Sequence, residues 1–183
     1  ASRGDSIAPF IERSLELEMP VEFKLIEVSN PMLHVLRERF SALPNVKIGN
    51  HDMANEEFIE SLSKEKSSLI LSVLTLQFTP IEYRNHIIAA IYDALLPGGA
   101  FIFVEKVIGN TAKVDKMFIQ NYSSMKAENG YSKEQIDKKR KALEGVLVPV
   151  TADYNEAMLK SAQFTHVDCF YRNLNFAGWV AIK

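Results

Sequence analysis

Four short stretches end apolar runs or open a helix with residue types that could recognise a nucleoside. Glu27 closes V-E-F-K-L-I-E-V with a carboxylate, an acceptor able to take both hydroxyls of a ribose. Asn50-His51-Asp52-Met53 closes the next run, where Asp52 could accept from an exocyclic adenine amine while Met53 packs on the ring. Thr75-Leu76-Gln77-Phe78 ends a third; core packing accounts for Leu76 and Phe78 but not for Gln77. The opening turn A-S-R-G-D-S combines Ser2 and Gly4, small residues that would let a ligand approach the backbone closely. Each has an ordinary alternative: a glycine cap, an exposed strand-end carboxylate, and for Asp52 a helix cap. A fifth stretch, N-G-Y-S-K-E-Q-I-D-K-K-R from Asn129 to Arg140, reads as a charged helix whose plain explanation is a solvated face.

The elements that position these residues alternate. The segment Val21–Val28 is strand-like, and Pro31 opens a helix through M-L-H-V-L-R-E-R-F. A second unit runs from V-K-I-G-N-H-D into a helix around Asn55–Leu62. Ser68–Leu76 is nearly continuous in apolar residues, the pattern of a strand covered on both faces, and is expected at the centre of a parallel sheet. Pro80 opens a long helix, and Pro97-Gly98-Gly99 is expected to stop it before the strand A-F-I-F-V-E-K-V. Two helices without an intervening strand follow, an expected insertion over residues 112–146. A helix near Asp153–Ala162 then leads to two strands, expected to pair antiparallel at the sheet edge. The alternation means an α/β domain with a mostly parallel sheet and helices on both faces.

A length of 183 residues suits one domain spanning 1–183. The chain begins inside what reads as a strand-to-helix turn, so a preceding first strand is expected in the natural protein. With 21 basic and 23 acidic residues, composition offers no broad reason for direct binding to nucleic acid or an anionic membrane. No apolar run approaches the roughly 20 residues of a membrane span, and no secretory signal pattern opens the chain. The single cysteine, Cys169, cannot form an internal disulfide or a zinc cluster; it reads as strand packing in a reducing, cytoplasmic setting. No metal is expected.

Neither G-x-G-x-x-G nor G-x-x-x-x-G-K occurs, which disfavours a diphosphate cofactor. Adenosine without a phosphate chain points to S-adenosyl-L-methionine. The stretches I-E-V-S-N-P-M-L, V-L-T-L-Q-F, L-L-P-G-G-A-F-I-F-V-E-K, N-G-Y-S-K-E-Q-I-D-K-K-R-K-A-L-E and L-N-F-A-G-W-V-A-I-K resemble the carboxy-S-adenosyl-L-methionine synthase family. The resemblance covers essentially the whole chain, and the Asn-Gly-Tyr-Ser helix is its most specific part.

The resemblance implies a Rossmann-like methyltransferase fold, with an antiparallel C-terminal edge, in a cytoplasmic homodimer. It implies a reaction of S-adenosylmethionine with prephenate, giving carboxy-S-adenosylmethionine and phenylpyruvate, through a sulfonium ylide that captures carbon dioxide. It further implies that the product serves wobble-uridine modification of transfer RNA through a separate enzyme. Arg140 matches the family arginine that pairs with the new carboxylate, where a planar guanidinium offers two parallel donors, and Tyr131 matches a tyrosine beside it. Ser2, Gly4, Glu27, Asp52, Met53, Thr75 and Gln77 would hold the nucleotide. Departures are Glu27 for the usual Asp, Tyr122 and Ser123 for paired histidines, Arg172 for a glutamine, and Ser72-Val73-Leu74 where an asparagine is expected. The rival readings are an ordinary methyltransferase of a small acidic acceptor, and a noncatalytic nucleotide-binding dimer. For the dimer contact, Val114, Phe118, Tyr122 and Met125 lie near one helix face.

Overall fold

The computed structural model describes residues 1–183 and divides into two compact units, Ala1–Phe58 and Ile59–Lys183. In the first, α1 (Ala8–Glu16) and α2 (Asn30–Phe40) accompany a parallel pair, β1 (Phe23–Glu27) and β2 (Val46–Asn50), with Glu27 opposite Asn50. The apolar faces of these elements converge: Ala8 and Ile11 of α1, Leu36 and Phe40 of α2, and Leu25 of β1 form one buried cluster. Gly4 belongs to that packing. Its φ of 81° suits glycine, and an added Cβ would lie 2.5 Å from the Phe40 ring. The glycine expected to admit a ligand therefore admits α2 on its Cβ side.

Helix α3 (Glu56–Lys64) leads on to β3 (Ser67–Val73), α4 (Ile81–Ala94) and β4 (Leu95–Ile108). The paired helices α5 (Ala112–Glu128) and α6 (Lys133–Ala142) follow, then β5 (Val150–Thr151), α7 (Ala152–Ser161), β6 (His166–Asn173) and β7 (Phe176–Ile182). Ser132 caps α6 by accepting from the Gln135 N–H while the Gln135 side chain accepts from the Ser132 N–H. This reciprocal capping box fixes where the charged helix starts. The second sheet runs β3-β4-β7-β6, with β5 also pairing with β4. Strands β3 and β5 are parallel to β4, whereas β7 is antiparallel to both β4 and β6, as expected for the C-terminal pair. Phe101, Phe103 and Trp179 are fully buried and neighbour one another in the core. No helix is long and apolar enough to cross a membrane.

Three local expectations are corrected. Within residues 1–183, strand β3 pairs with β4 alone and Ser68 and Leu69 are exposed, while β4 and β7 are paired on both sides. The strand also stops at Val73, because Leu74 adopts a left-handed φ of 52° that extended pairing does not allow. Pro97-Gly98-Gly99 lies within β4 as a bulge opposite Ser67–Leu69, and helix α4 has already ended at Ala94. Cys169 is exposed on edge strand β6 rather than packed.

Candidate functional site

In the first unit, Glu27 sits at the carboxyl end of β1. Its Oε1 accepts the N–H groups of Val28 and Ser29 at 3.0 and 2.9 Å, and its Oε2 accepts the N–H of Ser2 at 2.6 Å and the Ala1 ammonium at 3.1 Å. Burial opposes its ionisation, but these donors outweigh burial and hold the pKa below the ordinary carboxylate value. The adjacent backbone is tied across the strand pair by His51 N–H donating to Glu27 O at 3.1 Å. Asp52 thus follows immediately at the same rim. Its Oδ1 accepts the Ala54 N–H at 2.9 Å, and the cap of α3 is Asn55, whose Oδ1 accepts from Phe58. The second Asp52 oxygen makes no hydrogen bond within the protein, and Met53 beside it is half-buried. Ser2, Glu27, Asp52 and Met53 therefore gather at the carboxyl ends of β1 and β2, the place where open α/β sheets bind nucleotides.

In the second unit, the turn after β3 is held from beneath by two buried charged side chains. Glu105 Oε1 accepts the N–H groups of Thr75 and Leu76 at 3.1 and 3.0 Å, and its Oε2 accepts that of Gln77 at 2.8 Å. Arg84 donates to the carbonyls of Thr79, Gln77 and Val148. Burial raises the Glu105 carboxyl to about 7, only partly offset by the three amides and by the charge of Arg84. Gln77 is buried, and its Oε1 accepts the Lys106 N–H at 2.9 Å, which accounts for the polar side chain that packing could not explain. The Thr75 hydroxyl donates to Val73 O at 2.9 Å. Both residues therefore shape the turn with their side chains.

Helices α5 and α6 line a cavity of about 460 Å³ with Tyr122, Met125, Lys126, Tyr131, Ile136 and Lys139 among its walls. The Lys126 ammonium stands 4.2 Å from the centre of the Tyr122 ring, a cation–π distance. Burial raises the Tyr122 pKa against the opposing pull of Lys139, with Tyr131 adding to the rise. Neither Lys126 nor Lys139 has a carboxylate partner, so the cavity presents two ammonium groups among aromatic and aliphatic side chains. Arg140 is the next residue along α6, yet it does not line the cavity; it is exposed, 3.8 Å from Asp137.

The expected stripe on α5 divides. Phe118 carries the Arg172 guanidinium at 5.7 Å and Tyr122 meets the edge of Phe176 at 5.2 Å, so this side packs on β6 and β7. Val114 and Met125 remain exposed, together with Met117. Sequence reading overlooked Glu105, Arg84, Lys126 and Lys139. The first two carried a signal. Phe101, Phe103, Glu105 and Val107 alternate on the buried face of β4, and Arg84, Ile87, Ile88 and Ile91 share the buried face of α4.

No family model matches the chain. The carboxy-S-adenosyl-L-methionine synthase of Wolinella succinogenes is 38% identical over 176 residues, covering 94% of the chain and 70% of that protein. The enzyme of that name from Methylococcus capsulatus is 41% identical over 143 residues, 75% of the chain, and the match spans 59% of the relative's length. Among solved structures, an O-methyltransferase family protein from Burkholderia thailandensis aligns with all of the chain and 48% of its own, at a TM-score of 0.65 and 9% identity. That likeness establishes the α/β architecture expected from the alternation of elements and the Rossmann-like methyltransferase fold that the family resemblance implies.

Proposed function

The chain belongs to the carboxy-S-adenosyl-L-methionine synthase family, and from that premise we propose that it binds S-adenosylmethionine and converts it, with prephenate, to carboxy-S-adenosylmethionine. The observation that carries the nucleotide part is the Glu27 carboxylate, kept ionised at the carboxyl end of β1 beside an Asp52 oxygen without a protein partner. A ribose hydroxyl would donate to Glu27 Oε2, and an adenine amine would meet Asp52. The Ser2 and Gly4 turn would approach the methionine portion, with Thr75 and Gln77 contributing through the backbone of their turn.

Overall, the carbon dioxide released from prephenate replaces a proton of the sulfonium methyl, that proton leaves with hydroxide as water, and phenylpyruvate remains. Such a step needs fixed cations and little water around the new carboxylate. The unpaired Lys126 and Lys139 beside Tyr131 support an acidic co-substrate, and Arg140 on the same helix would fork onto the carboxylate of the product. Self-association would use the Val114, Met117 and Met125 side of α5, exposed in the monomer. The protein would act in the cytoplasm, without touching transfer RNA itself, by supplying the carboxylated nucleotide for wobble-uridine modification.

Mass spectrometry of small molecules released from the purified protein, and of products after incubation with S-adenosylmethionine and prephenate, tests this reading. The carboxylated nucleotide is the expected species. Methyl transfer to a small acidic acceptor instead would identify an ordinary methyltransferase, and nucleotide binding without turnover would indicate a noncatalytic dimer.

A further inference from the structure

Glu105 is 2% exposed and spends both oxygens on three successive backbone amides of one turn. That turn begins at Leu74, whose left-handed φ of 52° is strained for a side chain with a Cβ. The strained residue is exposed, while the carboxylate that takes the next three amides of the turn is buried beneath it. We propose that Glu105 is a positioning residue: its carboxylate clamps the Leu74–Gln77 turn in the shape that the adenosyl nucleotide requires. This rests on the reading above, in which Thr75 and Gln77 border the nucleotide.

The clamp works only with both oxygens free to accept. Protonating Oε2 would turn a hydroxyl towards the Gln77 N–H, setting donor against donor, while protonating Oε1 would disturb Thr75 and Leu76 together. The surroundings make that protonation accessible near neutrality. Burial pushes the Glu105 carboxyl to about 7, and Arg84 of α4 is the one charged group that pulls it back. Tyr154 of α7 acts on Arg84, and the β7 residue opposite Glu105 is the apolar Ala177. The turn should therefore be ordered above pH 7 and loosen below it, and nucleotide affinity should follow.

Two measurements test this. In the wild-type protein, the amide proton resonances of Thr75, Leu76 and Gln77 should shift together with one midpoint near pH 7. The affinity for methylthioadenosine, which carries no group titrating between pH 6 and 8, should be about tenfold weaker at pH 6 than at pH 8, because only about a tenth of the clamp is then ionised. Glu105→Gln keeps the size of the side chain but replaces one acceptor by a donor. It should bind weakly at both pH values, with the pH dependence gone. Amides that do not titrate in the wild type overturn the clamp without need of any variant. Amides that titrate beside an affinity that does not, or a pH dependence that survives in Glu105→Gln, overturn the positioning role. Absence of binding at every pH overturns the nucleotide reading as well, and the amide titration then shows whether the clamp itself exists.

Discussion

Ser2 donates its backbone N–H to Glu27 Oε2 at 2.6 Å, so the opening turn and the end of β1 are joined through a single carboxylate oxygen. Replacing Glu27 by alanine removes this junction together with the acceptor proposed for a ribose. We expect Glu27→Ala to weaken adenosyl-nucleotide binding by about 1.5–3 kcal/mol, the scale of hydrogen bonds to a charged group. Titration calorimetry reads this directly, and an unchanged affinity would remove Glu27 from the site.

On the proposed reading, Arg140 would separate ligands rather than hold all of them. Its present partner, Asp137 at 3.8 Å on an exposed helix face, is of the kind worth about 0–1 kcal/mol. Arg140→Ala should therefore leave both the fold and S-adenosylmethionine affinity nearly unchanged, while weakening the carboxylated nucleotide by about 1.5–3 kcal/mol, the scale of hydrogen bonds to a charged group. Arg140→Lys should restore part of the loss, since an ammonium lacks the planar fork. Equal, small losses for both ligands in parallel titrations would return this arginine to the solvated face.

Lys139 faces the cavity where Arg140 does not. Lys139→Ala should raise the KM for the acidic co-substrate several-fold at unaltered nucleotide affinity, consistent with losing one unpaired cation from a partly solvated site. Steady-state kinetics at saturating nucleotide measure it, and a KM that stays put would disconnect the cavity from the reaction.

Stability and turn order should respond to pH in opposite directions. The Glu105 carboxyl is raised from 4.5 to about 7 by burial, so between those values the folded protein binds a proton that the unfolded chain has already released. The stability due to this group is greatest below pH 4.5 and declines as pH rises towards 7, by at most about 1.4 kcal/mol per pH unit. Ionisation thus orders the turn while costing the fold. Urea unfolding of wild type and Glu105→Gln at pH 5, 6, 7 and 8 isolates the contribution. The wild type should lose ground to the variant as pH rises, and the opposite trend would contradict the burial argument.

The two sides of α5 should separate under substitution. Phe118 packs beneath Arg172, so Phe118→Asp should destabilise the monomer, whereas Met117 is 49% exposed on the outward side. Met117→Asp should dissociate a dimer with the melting temperature of the isolated subunit unaltered. Light scattering and thermal denaturation distinguish the two, and a dimer that persists in Met117→Asp places the contact elsewhere.

Local pattern was enough to determine the alternation of elements, the charged helix within Asn129–Arg140, and the placing of Glu27, Asp52 and Met53 at strand ends, because side-chain periodicity acts within a few residues. The family resemblance was likewise written in contiguous stretches. Partners distant in the chain were decided only by the tertiary structure. Nothing near Gly4 in the sequence shows that its Cβ side is filled by Phe40, 36 residues later. The sequence shows Gln77 as an unexplained polar side chain, and only the fold shows Lys106 and Glu105 bonded to it. Glu105 and Arg84 fell on buried faces that their spacing already marked, but spacing cannot say which amides and carbonyls will meet a buried charge. A buried charge persists only when donors or acceptors arrive from other elements, and that arrival depends on register and crossing, which no single segment encodes.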